Sequence, residues 1–208
     1  MKFSGFICSA LVAALVAMSF SVKASGQDSD AIARINAKAS SIKTIVADFT
    51  QEKDLSILND KIVSKGKMHY DGGMLRWEYL TPYSYLFIMN GEKVLLQSST
   101  STTTGDVASN RIYRMIARIM MDTVTGKCLA GSGDFSVKTE SSSGGTVAVL
   151  TPLKREMKSM FKEVRLHFGK DDYVETIELV EGTGDRTVIK LSSVKYNTEV
   201  DPSLFTVR

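Results

Sequence analysis

Apolar and polar residues alternate with a period of two over residues 74–82, where Leu75, Trp77 and Tyr79 are separated by Arg76 and Glu78. That period predicts a strand with one apolar face and one wet face. Pro82 marks its end, because proline has no N–H for a ladder and restricts the residue before it. Two further apolar runs, 85–89 and 93–96, flank Asn90-Gly91, and residues that tolerate positive φ suit the two-residue hairpin turn such runs need. The three runs predict an antiparallel meander.

Upstream, Ile32, Ile35, Ala39, Ile42, Val46 and Phe49 recur at spacings of three and four, which predicts one apolar stripe on a helix over about residues 29–46. Ser29 or Asp28 can cap it, and Arg34, Asn36, Lys38, Ser41 and Lys43 fall on the wet face. Strands are predicted at 46–54, 62–70, 74–80, 84–90 and 92–98. The Ser/Thr-rich stretch 98–106 has no apolar content and reads as a flexible loop. A second helical stripe follows in Ile112, Met115, Ile116, Ile119 and Met120, stopped by Gly126. The chain then returns to strands at 134–140, 146–151, 161–169, 174–181 and 186–195, with a last short piece near 204–207. About eleven strands and two helices result, a mainly β, α+β pattern with too many strands for a flat open sheet. The expected architecture is a strongly curled antiparallel sheet whose concave face is covered by the two helices as a lid.

The N-terminus changes the picture of where this domain works. Met1-Lys2 precedes an apolar block over residues 6–20, and Val22-Lys23-Ala24 follows. A basic start, an apolar core and a small-residue cleavage site predict an export signal cut after Ala24. The block is shorter than the ~20 apolar residues of a bilayer span. Cys8 lies inside it, away from the position of a lipidated cysteine. Residues 25–208 then form one domain with a substantial core. Lys2 and Lys23 leave with the signal and no acidic residue does, so the formal charge of +3 falls by two. A nearly neutral chain argues against nucleic acid as a partner. Cys128 is the one cysteine left, so stability rests on packing without an internal disulfide.

Catalytic chemistry finds no footing. His69 and His167 are the only histidines and lie in strand patterns without metal-ligand spacing. Gly131-Ser132-Gly133 lacks the flanks of a nucleophile elbow, and Asp171-Asp172 sits in a predicted turn. Neither an enzyme nor a cofactor or metal site is expected. Met115, Met120 and Met121 on the second helix are compatible with ordinary gap-filling and with a surface that repacks around apolar ligands, and the pattern does not decide between them.

In their collinear order the motifs resemble the periplasmic outer-membrane lipoprotein carrier (LolA-like) family. The resemblance is carried by the N-terminal helix running into Ala47-Asp48-Phe49-Thr50-Gln51, by Gly66, by Leu75-Arg76-Trp77-Glu78-Tyr79 with Pro82, and by Asn90-Gly91-Glu92-Lys93. It continues through Met115-Ile116-Ala117-Arg118, Leu150-Thr151-Pro152, residues 161–169 and Asp201-Pro202-Ser203-Leu204-Phe205. It implies an incomplete β-barrel in the periplasm whose apolar cavity holds the acyl chains of a lipoprotein. Cargo would come from an inner-membrane ABC transporter of the lipoprotein-release type and pass to an outer-membrane acceptor. Leu75, Trp77, Tyr79 and Phe87 would form the wall of the cavity, with Ile32, Ile35, Ile42, Met115, Ile116 and Ile119 facing it from the lid. The resemblance also implies an arginine-proline pair in the turn before the Trp-bearing strand, bonded to the lid. This chain has Asp71-Gly72-Gly73 there, so lid closure must rest on other contacts. Two alternatives stay open: a carrier or sensor of another amphiphile such as a glycolipid, and a protein-binding module using the Trp77 surface.

Overall fold

The computed structural model describes residues 25–56, 60–106, 111–129 and 133–207, with helix side chains described from residues 29 and 118 onward. The expected signal segment, residues 1–24, lies outside the described residues.

Helix α1 (Ser25–Ser41) buries Ala31, Ile35 and Ala39 along one stripe. It ends five residues before the expected boundary at 46. Beyond Ser41 the apolar period changes from three and four to two: Ile45, Ala47 and Phe49 are buried on one face of strand β1 (Thr44–Leu55). Val46 points the other way, against the opposite face of the sheet. The β-branched Thr44, Ile45 and Val46 favour the extended backbone, and Asn197 fixes the corner. Its side chain donates to Ser41 O (3.1 Å) and accepts from Lys43 N (2.8 Å).

Strands β2 (Asp60–Asp71), β3 (Met74–Thr81), β4 (Tyr85–Asn90) and β5 (Lys93–Ser98) continue the meander as expected. The β4–β5 turn centres on Gly91-Glu92, with Asn90 still paired to Lys93, and Gly91 takes the positive φ of 59° that the turn needs. The stretch expected to be a loop instead contains strand β6 (Thr102–Asp106), paired to β5. Three consecutive threonines suit an extended backbone, and an exposed edge strand needs no apolar residue.

Helix α2 (Arg111–Thr125) leads through a 3-10 turn at Lys127–Leu129 to strands β7 (Phe135–Ser142) and β8 (Gly145–Pro152). A one-turn helix α3 (Arg155–Lys158) precedes β9 (Phe161–Phe168), β10 (Val174–Glu181) and β11 (Arg186–Tyr196). The piece expected as a final strand is a 3-10 turn, Pro202–Phe205, capped by the Asp201 carboxylate. The eleven strands match the expected number because β6 replaces that tail piece.

All eleven strands form one antiparallel sheet in the order β6-β5-β4-β3-β2-β1-β11-β10-β9-β8-β7. Each half of the chain is a meander of sequential neighbours. The β1–β11 ladder, from Ile45 opposite Tyr196 to Asp54 opposite Arg186, joins the halves. The described residues show no ladder between β6 and β7, so the sheet is not closed. Its inner face gathers the main core, with Phe49, Met68, Leu75, Trp77, Leu166 and Ile177 beneath α1 and the end of α2. A smaller cluster, Ile88, Leu95, Val200 and Phe205, covers part of the outer face. This second cover explains the continuous apolar run of β4, where Phe87 and Met89 are buried inward and Ile88 outward.

Candidate functional site

The inner face holds a cavity of about 240 Å³. Trp77 and Tyr79 of β3 and Gln51 of β1 line one side, and Ile177 and Leu179 of β10 and Phe161 of β9 line the other. Strands β3 and β9 are five ladder spacings apart in the sheet order, which is roughly 24 Å if flat. Residues at that separation share one small cavity only because the sheet curls tightly. Ile119, Met120, Thr123 and Val124 close it from α2.

Aromatic rings form one wall. Phe49 and Trp77 stack with centroids 4.4 Å apart, and Phe49 meets Tyr79 edge-on at 5.2 Å. Two hydroxyls on the lining have partners within the protein. The Tyr79 hydroxyl donates to Gln51 Oε1 at 2.9 Å, and the Thr123 hydroxyl donates to the carbonyl of Ile119 within its own helix. Burial pushes the Tyr79 phenol above its ordinary value, outweighing the opposing influence of Trp77 and Gln51, so it stays protonated. The indole Nε1 of Trp77 is buried without a well-formed hydrogen bond. Among the described residues the lining carries no charged side chain, and such an apolar surface can take up hydrocarbon.

Ion pairs hold the helices onto the sheet. At the start of its described side chains, α2 places Arg118 against the carboxylate of Asp134, which also receives Lys154 Nζ at 2.5 Å. Asp134 is 5% exposed, so its charge is sunk among these cations. At the other end of α2, Lys127 Nζ donates to Tyr70 Oη at 3.3 Å and lies 5.8 Å from the ring centroid. Tyr70 adjoins the Asp71-Gly72-Gly73 turn, where the family resemblance leads one to expect an arginine. Helix α1 is tied by Arg34 to Asp172 at 3.2 Å and by Lys38 over the Tyr173 ring at 4.3 Å. Arg76 points outward as alternation requires, bonding Glu78 (2.9 Å) and Leu204 O (3.3 Å).

Of the residues expected in the site, Trp77, Tyr79 and Ile119 line the cavity. Leu75, Phe87, Ile35 and Ile42 are buried in the contiguous core, and Ile32 packs against it half-buried. Met115 and Ile116 are in α2, and their side chains lie outside the described residues. Sequence reasoning left out the far wall. Ile177, Leu179 and Ile189 do stand on apolar-alternating strands, but only the β1–β11 ladder carries them across from Trp77. Gln51, Met160 and Phe161 gave no signal that would single them out. His69 and His167 lie on the outer face. His69 has its pKa lowered by burial and by Arg76, and His167 Nε2 lies 2.9 Å from Glu178. Among the described residues no group of three or more His, Cys, Asp or Glu is placed to hold a metal ion, and no helix is long and apolar enough to cross a membrane.

Residues 40–208 match the family model described as outer membrane lipoprotein carrier protein LolA. The outer-membrane lipoprotein carrier protein of Pseudomonas aeruginosa is 29% identical over 202 residues, covering 94% of this chain and 91% of that protein. That of Nitrosospira multiformis is 26% identical over 170 residues, covering 78% and 77%. Among solved structures, a LolA superfamily protein from Nitrosomonas europaea aligns with a TM-score of 0.45 at 10% identity, over 86% of this chain and 97% of that one.

Proposed function

Because this chain belongs to the outer membrane lipoprotein carrier family, we propose that it carries lipoproteins through the periplasm by burying their acyl chains between the curled sheet and α2. The observation behind this reading is the cavity itself, apolar in its lining, with the Tyr79 and Thr123 hydroxyls already bonded within the protein. Each methylene buried contributes about 0.8 kcal/mol, so even part of a lipid anchor binds tightly.

The cavity is smaller than such an anchor. An apolar cavity of about 150 Å³ takes up benzene, and about 240 Å³ takes a short acyl segment. Loading therefore requires α2 to move outward, against the Arg118–Asp134 and Lys127–Tyr70 contacts. In this proposal an export leader over residues 1–24 delivers a single domain, 25–208, to the periplasm. An inner-membrane ABC transporter of the lipoprotein-release type supplies the cargo, and an outer-membrane acceptor takes it.

The test is native mass spectrometry of the protein isolated without detergent, together with an Ile119→Glu variant that places a charge on the lid side of the cavity. Acylated lipoprotein travelling with the wild type and lost from the variant is the expected result. A bound free glycolipid would move the reading to another amphiphile, and a reproducibly empty protein would overturn it. Trp77→Glu is a poorer probe, because Trp77 is 3% exposed and stacked on Phe49, and an unpaired charge there threatens the fold.

A further inference from the structure

One end of the sheet exposes large apolar side chains on both of its faces. Ile62 and Val63 are consecutive in β2 and so point to opposite faces, yet they are 44% and 47% exposed. Lys65 pairs with Thr81 and Tyr79 pairs with Tyr85, which puts the end of β3 and the start of β4 at the same edge. Leu80 and Tyr85 are exposed there, and Tyr83 in the connection between them is 82% exposed. This edge adjoins the cavity: Tyr79 lines it, and the Tyr79 and Tyr85 rings are 6.3 Å apart.

Apolar side chains on both faces of one strand end suit a medium that surrounds it, and tyrosine, with an apolar ring and a polar tip, favours the boundary between hydrocarbon and water. Charge points the same way. On the outer face Glu52 stands opposite Val63, and Lys65 follows two residues on. Neither is in an ion pair among the described residues, so one anion and one cation are available for the ammonium and phosphate of a zwitterionic headgroup.

We propose that this edge, with Tyr83 at its most exposed point, docks on the headgroup interface of a phospholipid bilayer and presents the Tyr79 end of the cavity to the membrane. Its use in acyl transfer rests on the carrier reading; the docking itself does not.

The experiment is flotation of the purified protein with phosphatidylcholine vesicles and with phosphatidylethanolamine–phosphatidylglycerol vesicles, comparing Tyr83→Asp, Tyr83→Phe and the double variant Ile62→Ser/Val63→Ser. In parallel, the emission of Trp77, the sole tryptophan, reports titration with palmitate. The wild type and Tyr83→Phe are expected to float, while Tyr83→Asp and the double variant lose about tenfold in the bound fraction, as withdrawing a large side chain from hydrocarbon implies. Their Trp77 response to palmitate should match the wild type. A wild type that stays at the bottom with both vesicle types, as a surface for a protein partner would, overturns the proposal. So does a Tyr83→Asp variant that floats normally. Docking without any response of Trp77 to palmitate would leave this inference standing and remove support for the carrier reading, and the reverse pattern would do the opposite.

Discussion

The ring of Phe49 lies directly over Gly66 on the neighbouring strand. A Cβ on that glycine would stand 2.5 Å from Phe49 Cζ and 2.0 Å from the backbone oxygen of Glu78. The missing side chain lets the Phe49 ring settle against β2, where it stacks on Trp77.

Gly66→Ala should therefore destabilise the protein at or above the top of the about 1–3 kcal/mol range of overpacked cores, because the Glu78 oxygen is backbone and cannot step aside. A urea melt gives the cost, and a shift in Trp77 emission should accompany it as Phe49 is pushed from its place. A melt within error of the wild type would show that the strand spacing adjusts freely.

Asp134→Asn should loosen the cover of the cavity. The variant keeps the shape of the side chain but removes the charge that Arg118 and Lys154 converge on. Uptake of a fluorescent fatty acid, followed by stopped flow, is expected to become several-fold faster. High salt should accelerate the wild type toward the variant and leave the variant nearly unchanged, since Arg118 and Lys154 are half-exposed and open to screening. Equal rates would mean that apolar packing alone holds α2.

The C-terminal half carries an acid-sensitive contact on its outer face. Burial alone would raise the pKa of Glu178, but the hydrogen bond and charge of Arg186, and then His167, outweigh it and hold the carboxyl below its ordinary 4.5. A depressed folded-state value means that the contribution is full above about pH 4.5 and lost as pH falls through the lower value. Glu178→Gln should flatten the fall of stability below about pH 4.5. An unchanged acid limb in chemical melts would remove Glu178 from this account.

Cys128 should be inert. It is 3% exposed in the turn after α2, and burial, reinforced by the Asp122 charge, pushes its thiol far above the ordinary range. The thiolate that reacts with alkylating reagents is therefore scarce. Labelling in the native state should be slower than in denaturant by orders of magnitude. Brisk native labelling would mean that the segment after α2 opens readily.

Regular alternation made most strands legible, and its failures have physical causes. The spacing Ile42, Val46, Phe49 continues the helical period of α1 into β1 by coincidence, which is why the helix read long. Strand β6 was hidden because Thr102, Thr103 and Thr104 are exposed at an edge and need no burial pattern. The near wall of the cavity, Trp77 and Tyr79, could be read from β3 alone. The far wall could not, since Ile177 and Leu179 reach Trp77 through a ladder between residues more than a hundred positions apart in the chain, and no local pattern encodes such a pairing. The Arg118–Asp134 contact was equally out of reach, because it joins a helix to the entrance of a strand whose partners set its place.

The β1–β11 ladder also orders events during folding. Every other strand pairing joins sequential neighbours, so each half can assemble from short hairpin closures, which are fast. The β1–β11 ladder instead requires closing a loop that runs from β1 to β11 before any contact rewards it. The two meanders should thus nucleate separately and zip together late. The cavity, whose opposite walls belong to different halves, comes into being only at that last step.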